Sequence, residues 1–503
     1  MKLRSLAFLV GAWLGACVDH ANLEHCANGF GDATCAARYP DGSKPYCELG
    51  SCAPMVADGC VAAPPEPDCA APCGDATTGG DDCIAGTSSS TLSTSADTSS
   101  SSTIGTVDTS TSGESSSSTG PMCMDDAGCG GATPFCRDGA CVSCSDTRDP
   151  DAACLGHDPD APLCSEGACV QCTAEDLGIC SGTVPICDVD TNTCVGCTRH
   201  EQCPDSACHF ADGSCLPGDR VWWVDGDASC AGTGTMAAPF CAIDDALAEI
   251  SQSSRGTIRI APAGDPYAGA LTIDGNRIVA LMAWEPGLPE LTASGGSTLT
   301  IESATVYVQR LRFQTNASAP AITMDTAVAW LDRSEVVLNQ GGGITAAGAT
   351  TLHVRDSVIG AGGTGLADRQ ALLADGATFD VVASTIAGND GNGFASVRCV
   401  GGGGGSIRSS IVVALDSPSI SCTGIDVSDS AIDTNLGGGN TMLGMFDAAW
   451  FVDPAQGDFH LEAGTPFADV GVWMQGDLEL DLDGDARGGR DGAVDFAGAD
   501  VIP

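Results

Sequence analysis

Lysine is almost missing from this 503-residue chain: Lys2 and Lys44 are the only two, so arginine is the sole strong cation beyond position 44. Against 20 basic residues stand 66 acidic ones, a formal net charge of −46. That balance argues against nucleic acid and anionic lipid headgroups as partners, because the sequence holds no run of basic residues to release counterions from phosphates. It favours solubility and divalent cations without specifying either. Catalytic signatures are missing as well. No GxSxG, HExxH or phosphate-loop sequence occurs, and beyond residue 220 the only histidines, His353 and His460, are not in a ligand-spaced pair.

What is present begins with a targeting segment. Lys2 and Arg4 precede an apolar run from Leu6 to Leu14, long enough for a signal-peptide core and too short for a permanent span. Residues 1–16 are therefore expected to be removed. Leu14-Gly15-Ala16-Cys17 resembles the lipobox of bacterial lipoproteins, and the resemblance implies that Cys17 becomes the lipidated N-terminus. Val18 after the cysteine resembles an outer-membrane address. The expected location is thus the outer membrane or cell surface, with the membrane as partner through the lipid. Ordinary cleavage beside an incidental cysteine is the alternative.

Cysteine is abundant, at 29, and setting Cys17 aside leaves an even 28, which suits disulfides in an oxidising compartment. Twenty-four of these lie between Cys26 and Cys215. Within the module expected at 17–83, residues 26–83 hold eight in a Gly-, Pro- and Asp-rich background without hydrophobic period, so staples must replace a core there. Residues 84–120 are almost wholly Ser, Thr and Gly, a disordered linker with a span of roughly 30 to 35 Å. Residues 121–218 contain a repeat. Pro134-Phe135-Cys136-Arg137-Asp138-Gly139-Ala140-Cys141-Val142-Ser143-Cys144 is nearly superimposable on Pro162 to Cys172, with further copies ending at Cys197 and Cys215 and a related phrase at Lys44 to Cys52. The pairs Cys141/Cys144, Cys169/Cys172 and Cys194/Cys197 have zinc-site spacing, but export, even parity and four cysteines per repeat favour disulfides. Their connectivity stays open.

From residue 219 to 503 the character changes. Cysteines nearly vanish, glycines multiply, and short β-branched runs recur between turn residues. Ser334, Ser357, Ser384, Ser409 and Ser430 are each followed two positions later by Val336, Ile359, Ile386, Ile411 and Ile432, with Leu311 and Phe313 extending the series backwards. Spacings of 23, 23, 27, 25 and 21 match one coil of a three-sided parallel β-helix, each coil stacking its apolar residue about 4.8 Å from the next. Glycine runs at 341–343, 362–365, 389–393 and 437–440 are expected to form the corners. A β-sandwich is the alternative; it lacks a coil-length register.

Val224-Asp225-Gly226-Asp227, Gly232-Thr233-Gly234-Thr235, Pro239-Phe240, Ile243, Ala246-Leu247 and Ile258-Arg259-Ile260-Ala261-Pro262 resemble the N-terminal cap and first strand of pectin-lyase-like β-helix proteins. Gly457-Asp458-Phe459-His460-Leu461, Gly464 to Gly471, Asp481 to Arg487 and Val494 to Gly498 are similar to the closing segment of bacterial surface β-helix proteins. The resemblance implies an all-β, right-handed parallel β-helix with a helical cap near Ile243 to Ile250 that the pair Cys230 and Cys241 would staple. It specifies fold well and activity poorly.

Pectate-lyase-type enzymes hold calcium with acidic residues and abstract a proton with arginine, so the resemblance offers Asp332, Arg333, Arg355 and Asp356 as catalytic candidates, with Glu335, Arg310 and Arg312 nearby. The competing expectation is a solvated ladder of weak ion pairs on the outer face. Asp481, Asp483 and Asp485 alternate in a way that suits calcium, although glycine falls at the fourth position of the run rather than the sixth. No other cofactor is implied. The expected function is a surface lipoprotein whose non-catalytic β-helix binds extracellular polysaccharide or a cell-surface ligand; the alternative is a calcium-dependent lyase or hydrolase of acidic polysaccharide.

Overall fold

In the computed structural model the described residues are 123–503, apart from 205, 285–286, 315–318, 361–368, 389–394, 415–417, 445 and 503, together with the paired strands Tyr46–Cys47 and Cys60–Val61. The leader, Cys17, most of the first cysteine-rich region, the Ser/Thr tract and the corners at 362–365 and 389–393 lie outside them. The chain divides into two compact units, Met1–Glu114 and Ser115–Pro503.

Four disulfide modules open the second unit. Each is a two-stranded antiparallel hairpin: Phe135–Arg137 with Ala140–Val142, Leu163–Ser165 with Ala168–Val170, Ile186–Asp188 with Thr193–Val195, and Cys208–His209 with Ser214–Cys215. The Asp138-Gly139 and Glu166-Gly167 turns have positive φ at both residues, the conformation that tight two-residue hairpins need. Within every module the first cysteine bonds the third and the second bonds the fourth: 123–136 and 129–141, 144–164 and 154–169, 172–187 and 180–194, 197–208 and 203–215. The CxxC phrases are therefore junctions between modules, not ligand pairs. The first cysteine of each module donates its N–H to the hairpin turn, at Gly139, Gly167, Asn192 and Gly213. One staple pattern thus repeats despite uneven spacing.

The rest of the unit is a parallel β-helix of three sheets with nine, nine and seven strands. The first sheet runs from Val221–Val224 to Asp426–Ser428, the second from Tyr267–Ala268 to Thr441–Met442, and the third from Leu271–Ile273 to Ile420–Ser421. The chain visits them in rotation, completing seven coils. Inward residues stack in files, one of which is Leu291, Phe313, Val336, Ile359, Ile386, Val412 and Ile432. All seven are buried. The helix Ile243–Ala248 buries Ile243, Ala246 and Leu247 in the same core beside Val224 and Ile258, and Cys230 and Cys241 are disulfide-bonded beside it. Cys399 and Cys422 join neighbouring coils.

The serine phrase is a hydrogen-bonded ladder, with one correction. Ser334, Ser357, Ser384, Ser410 and Ser430 are fully buried, and each Oγ accepts the N–H of its predecessor at 3.0–3.3 Å. Each also donates to the carbonyl two residues back in its own chain. The fourth rung is thus Ser410 with Val412, not Ser409 with Ile411. Arg408-Ser409-Ser410-Ile411-Val412 doubles both the serine and the β-branched residue, so two registers one residue apart satisfy the same pattern, and such a slip reverses every side chain. A distant contact selects between them: the Ser409 hydroxyl bonds both the carbonyl and the N–H of Val472, at 2.9 and 3.0 Å. Ile411 consequently points away from the solenoid interior.

The glycine runs at 341–343 and 437–440 do place glycines at positive φ, whereas the corner preceding this ladder contains no glycine. Arg310, Arg333, Asp356, Ala383, Ser409 and Asp429 all have φ between 45° and 57°. Left-handed conformation costs a non-glycine residue roughly 1–2 kcal/mol. The ladder bond made by the next residue's N–H offsets part of that. Ser384→Ala removes both an acceptor for Ser357 and a donor to Val382; the expected loss is about 1–3 kcal/mol in urea unfolding, with the β signal retained. An unchanged midpoint would mean that the ladder does not bear on stability.

The C-terminal segment from Phe446 to Ile502 folds back over the outer face of the second sheet. Val337, Val358, Ala387, Ile411 and Val413 meet Phe451, Phe459, Leu461, Phe467 and Leu482 in a second core. Strands such as Val358–Gly360 and Ile411–Ala414 are accordingly buried on both faces, which explains their continuous apolar runs. At Gly360 an added Cβ would sit 2.6 Å from the Phe459 ring, so only glycine fits beneath it.

Candidate functional site

The outer row of the first sheet and the corner after it carry the four catalytic candidates together with Arg310. Gln309, Asp332 and Arg355 are register partners on successive coils, and Arg310, Arg333 and Asp356 follow them at the left-handed corner. Strand alternation places these side chains outside the solenoid. Two later layers then cover them: the fourth disulfide module from one side and the C-terminal segment from the other.

Of the four catalytic candidates, the structure brings Asp332 and Arg355 together and directs Arg333 and Asp356 elsewhere. The Arg355 guanidinium grips both oxygens of Asp332, through Nε at 2.7 Å and through Nη2. Its flat faces lie 4.9 Å from the rings of Phe210 and Trp330. His200 sits beside the pair, with Nε2 3.9 Å from Asp332 and Nδ1 accepting the Cys208 N–H. Burial pushes the His200 imidazole down to about 4 against the pull of Asp332, so it is neutral at pH 7. Arg333 pairs with Glu201 of the fourth module, which also accepts from Gln309 at 2.8 Å. Asp356 pairs with Arg487, whose other contacts are Asp495 at 3.2 Å and the Gly498 carbonyl at 2.6 Å. Burial pushes the Asp356 carboxyl up, while Arg487 and then Arg355 oppose it.

Asp332 and Asp356 are each 1% exposed. The expected outer ladder is therefore neither solvated nor arranged along an open groove. Glu201 and Arg487 lie more than 100 residues from their partners, and no local pattern marks them. The only sequence signal was that the charges fall at outward positions.

The Asp481, Asp483 and Asp485 run does not form a shared oxygen cage. Asp481 is fully buried; its Oδ1 accepts the N–H groups of Asp483, Gly484 and Asp485, and its Oδ2 accepts that of Val501. Asp483 turns to His460, while Asp485 is only partly buried. Among the described residues, the groups of three potential ligand atoms within 4.8 Å of one another are all cysteines, and those cysteines are in disulfides.

His460 is clamped between Asp458 at 2.6 Å and Asp483 at 3.2 Å, close to Glu335 and Arg312, which are themselves 3.2 Å apart. Asp483 first, then Asp458, raise its pKa to about 10. A cation with a raised folded pKa stabilises fully below its unfolded value, and that contribution is lost as pH climbs through the folded value. This clamp should therefore weaken progressively from about pH 6.5 to pH 10. His460→Gln should reduce stability at pH 7 and flatten the pH dependence of melting across that window; an identical pH profile in the variant would refute the assignment.

Two cavities lie near these elements. One, of ≈ 310 Å³, is lined by Arg199, Glu201, Gln202, Arg333, Leu478, Glu479 and Leu480, where the fourth module, the corner and the C-terminal segment converge. The other, of ≈ 190 Å³, lies by the N-terminal cap between Asp244, Asp265 and Tyr267.

Residues 110–221 match a family described as a family of unknown function, DUF8331. That stretch contains all four described modules and ends on the first solenoid strand. No curated protein matches the chain. Among solved structures, the chain is similar to the crystal structure of pectate lyase Pel9A, at 12% identity and a TM-score of 0.26, over 55% of this chain and 96% of that one. A likeness at that level carries no argument about activity.

Proposed function

We propose that the chain is an exported surface protein, lipid-anchored through Cys17, whose β-helix binds carbohydrate or another cell-surface ligand without turning it over. The observation that supports binding over catalysis is that Asp332, Arg355, Arg333 and Asp356 are themselves buried and are each committed to an ion pair, Arg333 with the more exposed Glu201. A lyase needs a base and a cation site open to its polymer. The leader and the Leu14-Gly15-Ala16-Cys17 phrase support the anchor, and the disulfide modules support an oxidising location.

Turnover is tested by absorbance of unsaturated uronate with pectate, alginate and glycosaminoglycans, with and without calcium. No activity is expected, whereas calcium-dependent turnover lost in Arg355→Ala would establish the lyase reading instead. Binding is tested by retention on immobilised glycans and on intact cells. Cys17→Ser should move the protein from the membrane fraction to the soluble one, and an unchanged distribution would remove the anchor.

A further inference from the structure

The two covers of the solenoid differ in kind. Over the second sheet the C-terminal segment forms a continuous apolar core built around Phe451, Phe459 and Phe467. Over the first sheet the fourth module contributes a small apolar patch, Ala207, Phe210 and Leu216 against Ala280, Met282 and Tyr307. Polar contacts surround that patch: Arg255 with Asp212 at 3.3 Å, Arg259 with the Ser206 carbonyl at 3.1 Å, and Glu201 with Arg333 and Gln309. His200 Nε2 and Arg333 Nε are buried there without hydrogen-bond partners, as is Thr257 Oγ1 on the Ala280 and Tyr307 row. Unmet polar atoms weaken a contact that apolar packing would have made permanent.

Charge gives the arrangement a direction. Seven of the 18 arginines fall between 255 and 355. Arg259 and Arg355 share one outward row of the first sheet with Asp332, Arg255 lies two outward rows away beyond the Thr257 row, and Arg310 and Arg333 stand at the corner. Asp332 is taken by Arg355. The anions that answer Arg333 and Arg255 are Glu201 and Asp212, and both belong to the module. Arg310 is half-buried beside Arg333 and makes no ion pair among the described residues. In a chain of net charge −46, this strip is a local exception.

We propose that the fourth disulfide module is a releasable cover whose Glu201 and Asp212 act as internal counter-anions on an arginine-lined binding face, displaced by a polymer bearing repeated carboxylate or sulfate groups. The inference rests on the reading of the solenoid as a glycan-binding element and adds to it a masked site and its ligand class. A polymer suits the face because Arg310 and Arg333 stand at the same corner of neighbouring coils about 4.8 Å apart, with Arg259 and Arg355 farther along the first sheet, so an extended chain can engage several of them at once. The module holds the same face with two carboxylates, Glu201 in its first turn and Asp212 in its hairpin, and its disulfides keep it folded when lifted.

The test uses the full chain carrying Glu201→Gln and Asp212→Asn, with Asp265→Asn and Glu302→Gln as a charge-matched control at exposed sites. Heparin serves as the sulfated probe, polygalacturonate as the carboxylated one and dextran as the neutral one, at about 0.15 M salt, where repulsion from the rest of the chain is screened beyond about 8 Å. The expected result is faster amide exchange across residues 206–216 and roughly tenfold tighter polyanion binding than in the wild type or the control, as the competent fraction rises. Arg333→Ala on the uncovered background should abolish the gain. Faster exchange without tighter binding overturns the binding face; polyanion binding equal in wild type and variant, or exchange unchanged, overturns the cover. Failure of the broader reading looks different: no glycan or cell is then bound by any of these proteins.

Discussion

Arg487→Ala is expected to lower stability by about 3–5 kcal/mol, the largest effect of any single substitution considered for this protein. Arg487 and Asp356 have side chains 0% and 1% exposed, so truncating the arginine strands a carboxylate where water cannot reach it. It also releases Asp495 and the Gly498 carbonyl, the two groups through which Arg487 holds the last turn of the C-terminal segment. The damage should spread along that segment. Amide exchange is expected to accelerate from Asp458 to Val501, where Leu461 and Val501 depend on Asp500 and Asp481, while the inner files around Ile386 stay protected. The double variant Asp356→Asn with Arg487→Met should recover much of the loss, because a neutral pair leaves no stranded charge. If the double variant is as unstable as the single one, packing at Arg487 and not its charge carries the effect.

The second large effect concerns the staples. The second module buries little besides Cys144 and Cys154, which pack against Phe135 of the first module, so its two disulfides substitute for a core. Replacing Cys154 and Cys169 by serine opens a link of sequence separation 15, and a loop of that length is worth about 3 kcal/mol. A unit this small should unfold outright. Limited proteolysis should then cut between Cys144 and Cys172 while leaving the solenoid intact. Complete reduction is expected to open all four modules, yet to leave most of the β signal, since the solenoid carries only Cys230–Cys241 and Cys399–Cys422. Intact mass before reduction should show no free thiol among Cys123 to Cys215. Detection of free thiols together with bound zinc would instead establish the metal reading of the CxxC phrases.

The legibility of this fold varied with the range of the interaction that decides each feature. Ile359 and Ile386 stack because both the pattern and the coil are local, one coil being 27 residues. Ile411 failed the same rule because the doubled residues at 409–412 leave register to be chosen by Val472, more than 60 residues away. The corners read as glycine runs hold glycine at positive φ where described, but the corner before the serine ladder, built on arginine, aspartate and serine, went unread, since a buried hydroxyl on the next coil stabilises that turn in place of conformational freedom. The Asp332, Arg333, Arg355 and Asp356 group was identified as charge on one outer row. That Arg333 serves Glu201 and Asp356 serves Arg487 could not be read, because both partners arrive from separate segments of the chain.

By itself the sequence determined the change from stapled repeats to solenoid and the inward file of aliphatic residues. Each of these is written in spacing or composition, which need no partner from elsewhere. Only tertiary structure decided the disulfide pairing within each module, the rung occupied by Ser410, and the burial of the charged corner. Those outcomes depend on which surfaces close over one another, and desolvation by a remote segment leaves no mark on the residues it covers.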